Sequence, residues 1–130
     1  MKHLLPEGWE RPRGYSNGIM ADGTQVYVAG MIGWNEKEEM AQGFTAQFRL
    51  ALENTMLVLN EAGAGPEHVV RMTWYVKGID EYRENLSGIG NAWRDIMGKN
   101  FPTMAVVGVT DLVEKEALIE IETTAVIAKD

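Results

Sequence analysis

The sequence predicts an α+β fold in the order β-β-α-β-α-β-β, with two helices packed on one face of a sheet. Three observations carry this. Five short stretches are apolar or alternate with the two-residue period of a strand. Two longer stretches space their apolar residues three and four apart, the period of one helix face. Glycine and proline punctuate the joints between them.

Along the chain, Pro6, Gly8, Pro12 and Gly14 keep residues 1–13 out of a helix, so this segment reads as an extended arm. Residues 15–20 are read as a first strand, and Asp22-Gly23 as a hairpin turn into a second strand over 25–32. In that second strand Val26 and Val28 share one face, and Tyr27 and Ala29 the other. Gly30 and Gly33 interrupt it, the mark of a bulge or of a close approach to the backbone. Residues 43–62 form a helix whose face is Phe44, Phe48, Leu52, Thr55 and Leu59, stopped by the run from Ala62 to Pro66. Residues 69–77 follow as a strand, with Val70, Met72, Trp74 and Val76 as its apolar face and Arg71, Thr73, Tyr75 and Lys77 on the other. Asp80 is the expected N-cap of a second helix. That helix has the face Tyr82, Leu86, Ile89, Trp93 and Ile96, and Gly98 ends it. Strands over 104–109 and 118–127 close the order. In the last, Ile119 and Ile121 point one way and Glu120 and Glu122 the other. Two helices cover one face of the sheet, so the face of Tyr75, Thr73 and Glu120 is either solvated or docked on another subunit.

The chain has 130 residues, 45% apolar and 24% charged, which fits one domain over 1–130 with a real core. Twelve basic residues against 19 acidic leave a net charge of −7. That weighs against nucleic-acid partners and anionic membranes, which need a basic surface. Without cysteine, disulfides, thiolate nucleophiles and cysteine metal sites are excluded. Residues 1–10 lack the apolar run of a signal peptide, and no stretch has the length of a membrane span, so a cytoplasmic location is expected.

Few residues suggest chemistry by pattern alone. Glu120 and Glu122 reach the same strand face; the pair suits acid–base work, or is simply an acidic solvated face. Tyr15 offers a phenol to a ligand, or packs with its hydroxyl in water. His3 and His68 lack metal-ligand spacing and are expected at the surface. Trp9, Trp34, Trp74 and Trp93 are expected in core or interface. Gly63 and Gly65 follow a helix and form its C-cap, not a phosphate loop.

Several segments, in order, resemble the RidA (YjgF-like) family of imine/enamine deaminases. They are Tyr15-Ser16-Asn17-Gly18, Val28-Ala29-Gly30-Met31-Ile32-Gly33, Ala46-Gln47 with Ala51-Leu52-Glu53-Asn54, Glu61-Ala62-Gly63-Ala64, His68-Val69-Val70-Arg71-Met72-Thr73, and 117–125. Each motif is weak; their joint order over residues 14–127 is specific. The resemblance implies a chorismate-mutase-like fold with a mixed sheet, a homotrimer with a small-molecule cleft between subunits, and hydrolysis of reactive imines and enamines to ketone and ammonia without metal or cofactor. Carried over residue by residue, it makes Tyr15 and Glu120 the catalytic pair, with Glu120 positioning the attacking water. Gly30, Met31, Ala29, Met104, Val106 and Arg13 become the substrate-binding set. The family's Ser-Gly pair falls on Ala29-Gly30, which loses the hydroxyl. Its Pro-x-Arg falls on Pro102-Thr103-Met104, which loses the arginine, and its frequent cysteine falls on Val106. A guanidinium grips a carboxylate by two charge-assisted bonds, worth about 1.5–3 kcal/mol, whereas methionine offers only apolar surface. Free 2-imino acids are therefore disfavoured. Another cation (Arg13 first, then Arg11 or Arg71), a masked acid, or binding without turnover are the readings left open. Some relatives carry ribonuclease or translation-inhibitor labels, which the acidic balance disfavours here.

Overall fold

The computed structural model describes residues 1–129. In chain order the elements are β1 (Lys2–Leu4), β2 (Gly18–Met20), β3 (Thr24–Ile32), α1 (Phe44–Glu61), β4 (Val69–Lys77), α2 (Ile79–Glu84), α3 (Leu86–Met97), β5 (Thr103–Val109) and β6 (Ile119–Ile127). Four strands make the main sheet in the order β3-β6-β4-β5. β4 and β5 run parallel, and β6 is antiparallel to β3 and β4, so the sheet is mixed.

The helices lie on one face because only that face is apolar. α1 buries Phe44, Gln47, Phe48, Ala51, Leu52, Thr55 and Leu59, a row at three- and four-residue spacing. Phe48 meets Trp74 of β4 edge-on, with ring centroids 4.8 Å apart, and Trp74 meets Trp93 of α3 at 5.8 Å. Such aromatic pairs add about 0.5–1.5 kcal/mol each beyond the area they bury. Ile119 and Ile121 of β6 are fully buried beneath them. At the end of α1, Gly63 takes φ 73°, and the Gly63 and Ala64 N–H groups donate to the carbonyls of Asn60 and Leu59. This is the expected helix stop.

Five expectations need correction. Residues 15–20 do not hairpin onto the next strand. Only Gly18–Met20 is a strand, and it pairs antiparallel with Lys2–Leu4 in a separate two-stranded sheet. β3 takes β6 as its partner instead, and the chain at Gly23 (φ 149°) is packed against the backbone of Ile127. The arm over 1–13 accordingly contains a strand. The second helix is two: Asn85 leaves helical geometry, donating to the Glu81 carbonyl (2.7 Å) and accepting from Thr45 Oγ1 (3.1 Å). Gly78, not Asp80, occupies the N-cap, and Asp80 pairs with Arg83. Finally, a register shift between Val69 and Arg71 turns Val69, not Val70, fully inward.

Among the described residues no helix is long and apolar enough to cross a membrane.

Candidate active site

The residues expected to act together lie on the two faces of the sheet. Glu120 lies on the open face. Its neighbours in β6, Ile119 and Ile121, point into the core, and its register partner on β4 is Tyr75. On β3, the register shifts between Val28 and Met31, which makes Ala29-Gly30 a bulge. An added Cβ at Gly30 would lie 2.6 Å from the Glu120 Cδ. The Glu120 carboxylate therefore rests on bare backbone, and a side chain at position 30 would push it aside. Ala29 beside it is exposed, and Met31 packs against the core.

Glu122 and Glu120 share that face but not their surroundings. The Tyr75 hydroxyl donates to Glu122 Oε1 at 3.3 Å. Glu122, with desolvation second, pushes the Tyr75 phenol up from its ordinary pKa. Arg71, Thr73 and Tyr27 complete a shallow polar dip around Glu122. Tyr27 is 71% exposed there and bonds to Gln25. Arg71 is thus on the open face, away from Met104.

Met104 and Val106 lie on the opposite face. In the parallel β4–β5 ladder Met104 sits beside Met72 and Val106 beside Trp74, and both of those β4 residues are buried in the core. The arm is stitched to the same strand. The Ser16 N–H donates to the Pro102 carbonyl (3.0 Å), the Ser16 hydroxyl donates to the Phe101 carbonyl, and Ser16 bridges Thr103. This seam sets Tyr15 beside β5. Tyr15, Arg13, Met104 and Val106 consequently line one groove of about 420 Å³ with Trp74, Tyr82, Leu86, Ile89, Trp93, Arg94 and Phe101. Tyr15 is 42% exposed.

A larger cavity of about 540 Å³ lies under the arm and shares Gly14, Tyr15 and Phe101 with this groove. It holds Arg11, Lys99 and Glu67, together with His3, whose Nδ1 is 2.9 Å from Ser16 Oγ. His68 is half-buried and accepts from the Gly65 N–H. Trp74 and Trp93 are core, whereas Trp9 is exposed on the arm.

Sequence reading missed two sets of residues. Gln47 and Asn54 entered only as pattern, yet both hold the site's backbone. Gln47 Nε2 donates to the carbonyls of Ala41 and Glu116, and its Oε1 accepts from the Leu118 N–H, two residues before Glu120. Asn54 Nδ2 donates to the carbonyls of Ile32 and Trp34 at the end of β3. Arg94 was the other omission. Leu86, Gly90 and Arg94 recur every four residues on α3, a row that marks one helix face in advance.

The mixed sheet, its helices on one face and a polar open face define a class: a small α+β domain of the RidA/YjgF fold. The chain superposes on the Rid-family protein YyfB from Yersinia pestis with a TM-score of 0.84 and 32% identity, covering 97% of this chain and 98% of that one. On E. coli TdcF, solved with bound serine, the TM-score is 0.71 at 22% identity over 98% of this chain and 100% of that one, a likeness of fold. Residues 10–127 match the family described as Endoribonuclease L-PSP. The RutC family protein UK114 of Drosophila melanogaster is 32% identical over 114 residues, 85% of this chain and 78% of that protein. A RutC family protein of Aquifex aeolicus is 31% identical over 113 residues, covering 86% and 87%. The chain belongs to the RidA/YjgF family.

Proposed function

We propose that this protein hydrolyses a small imine or enamine to a carbonyl compound and ammonia, in a cleft formed between two copies of the chain in a homotrimer. The observation that carries the chemistry is the environment of Glu120: a carboxylate laid over the Gly30 backbone, while its neighbour Glu122 is engaged by Tyr75. A carboxylate so placed suits a general base for water. Water adds to the imine carbon, and one of its protons passes by way of Glu120 to the nitrogen, giving a carbinolamine. The remaining hydroxyl proton follows by the same carboxylate to the nitrogen as the C–N bond breaks, the C=O bond forms and ammonia leaves. Tyr15 donates a hydrogen bond from across the cleft.

The sheet supports a site made by two copies. Glu120 and Gly30 face one way and Met104, Val106 and Tyr15 the other, so one chain cannot close both sets on one small ligand. An uncovered face carrying Tyr27, Tyr75 and Val107 suits contact with a second copy. TdcF was solved with serine, which supports a small-molecule ligand on this fold. With Met104 where relatives would carry the arginine, small free 2-imino acids are not gripped at that position. A net charge of −7 weighs against an RNA substrate.

The test is ammonia release from imines generated in solution by an amino-acid oxidase, with and without the protein. Acceleration lost in Glu120→Gln is the expected result. Acceleration that survives Glu120→Gln would remove the proposed base. No acceleration with any imine, apolar ones included, would favour a binding protein on the same scaffold.

A further inference from the structure

The groove that replaces the family's arginine site is not uncharged. Its floor is aromatic and aliphatic: Trp74, Trp93, Tyr82, Ile89, Met104 and Val106. No Asp or Glu lines it, and its two charged residues are guanidinium groups, Arg13 on the arm and Arg94 on α3. In a chain of net charge −7, a groove whose formal charge is all positive is a selective feature.

Arg94 is the better placed of the two. It sits on the regular part of α3, one turn beyond Gly90, and both residues line the groove. A Cβ added at Gly90 would lie 3.4 Å from Arg94 Nη1, so the guanidinium lies back over the helix at the point where a side chain is missing. Arg94 Nη2 donates to Asn91 Oδ1 at 2.6 Å. That neutral partner orients the fork without cancelling its charge. The acidic neighbour Asp95 is engaged elsewhere, paired with Arg49 at 2.8 Å. Among the described residues Arg94 has no carboxylate partner, whereas Arg49 and Arg83 each have one.

We propose that Arg94, lying over Gly90 at the lip of this groove, holds the acid group of the ligand, and that the ligand is an amphipathic acid with an aromatic or branched apolar body. The body fills the aromatic floor. The acid lies on the α3 side and not beside Met104, where it would find only a thioether. Small polar acids are rejected because they cannot reach Arg94 and cover the floor together. This deepens the proposed reading, since it treats the groove as one half of the catalytic cleft.

The test is calorimetric titration of the intact protein with 3-phenylpropionate, with its uncharged amide, and with propionate. Phenylpropionate is expected to bind best. Arg94→Gln should weaken it ~10- to 100-fold, the loss of one charge-assisted contact, and leave the amide unchanged. Arg94→Lys should recover part of the loss. Equal binding of acid and amide, an Arg94→Gln variant that still prefers the acid, or a loss confined to Arg13→Gln would each overturn the assignment, as would the absence of phenylpropionate binding. The titration reads binding alone and the ammonia assay reads turnover, so failure of the binding proposal and failure of the hydrolase reading are told apart.

Discussion

Glu120 and Glu122 are the same residue type, two positions apart on one strand face, yet they differ in what they touch. Glu122 accepts from Tyr75, and Glu120 lies over Gly30. Glu122→Gln should therefore leave imine hydrolysis largely intact where Glu120→Gln abolishes it; equal loss in both would mean that the face acts only by its charge. Gly30→Ala should separate geometry from folding. Its new methyl group displaces the end of a flexible, half-buried side chain, so turnover falls while the melting temperature changes little. Retained turnover in Gly30→Ala would show that the carboxylate need not lie there. Tyr75 gives a third handle. Its phenol pKa is raised by Glu122, so the folded protein keeps that proton longer than the unfolded chain does. Stability is consequently eroded as pH rises beyond the ordinary tyrosine range. Glu122→Gln should move this phenol's ionisation to lower pH in an absorbance titration, and an unmoved titration would contradict the stated cause.

At the scale of elements, α1 is both core and clamp. Phe48 is fully buried against Trp74, and Phe48→Ala should cost about 3–5 kcal/mol in denaturant unfolding, as cavities of that size do. Gln47 is as deeply placed but holds backbone. Gln47→Leu keeps most of the volume and strands the Leu118 N–H and two carbonyls, a cost of about 1–3 kcal/mol for each group left unsatisfied. A variant as stable as the parent would show that water replaces the amide. The long periodic elements were legible in the sequence: the α1 row from Phe44 to Leu59, the alternation of β4, and Ile119 and Ile121 against Glu120. Their one-sided burial writes the period directly. The arm was not legible, because β1 and β2 are three residues each and their pairing rests on contacts distant in sequence. Nor was the break at Asn85, which a side-chain bond to Thr45, 40 residues away, helps to hold. Of the site, the bulge at Gly30 was foreshadowed by a glycine inside a strand. Arg94 stayed hidden because a charged residue on an amphipathic helix reads as solvated surface unless its row with Gly90 and Leu86 is followed.

At the scale of the whole molecule, the opposed faces of one sheet carry different halves of the proposed site. Tyr15 and Met104 belong to the helix side, Glu120 and Gly30 to the open side. The proposed site uses both, and is therefore proposed to be shared between copies. The most direct measurement is subunit mixing. Tyr15→Ala and Glu120→Gln each damage a different half of the proposed cleft. Either variant alone should be inactive, and co-refolding equal amounts should restore roughly a quarter of the parent's imine hydrolysis, the share of clefts that pair two intact halves in randomly mixed oligomers. Activity of the mixture no greater than that of the separate variants would contradict a site built from two chains.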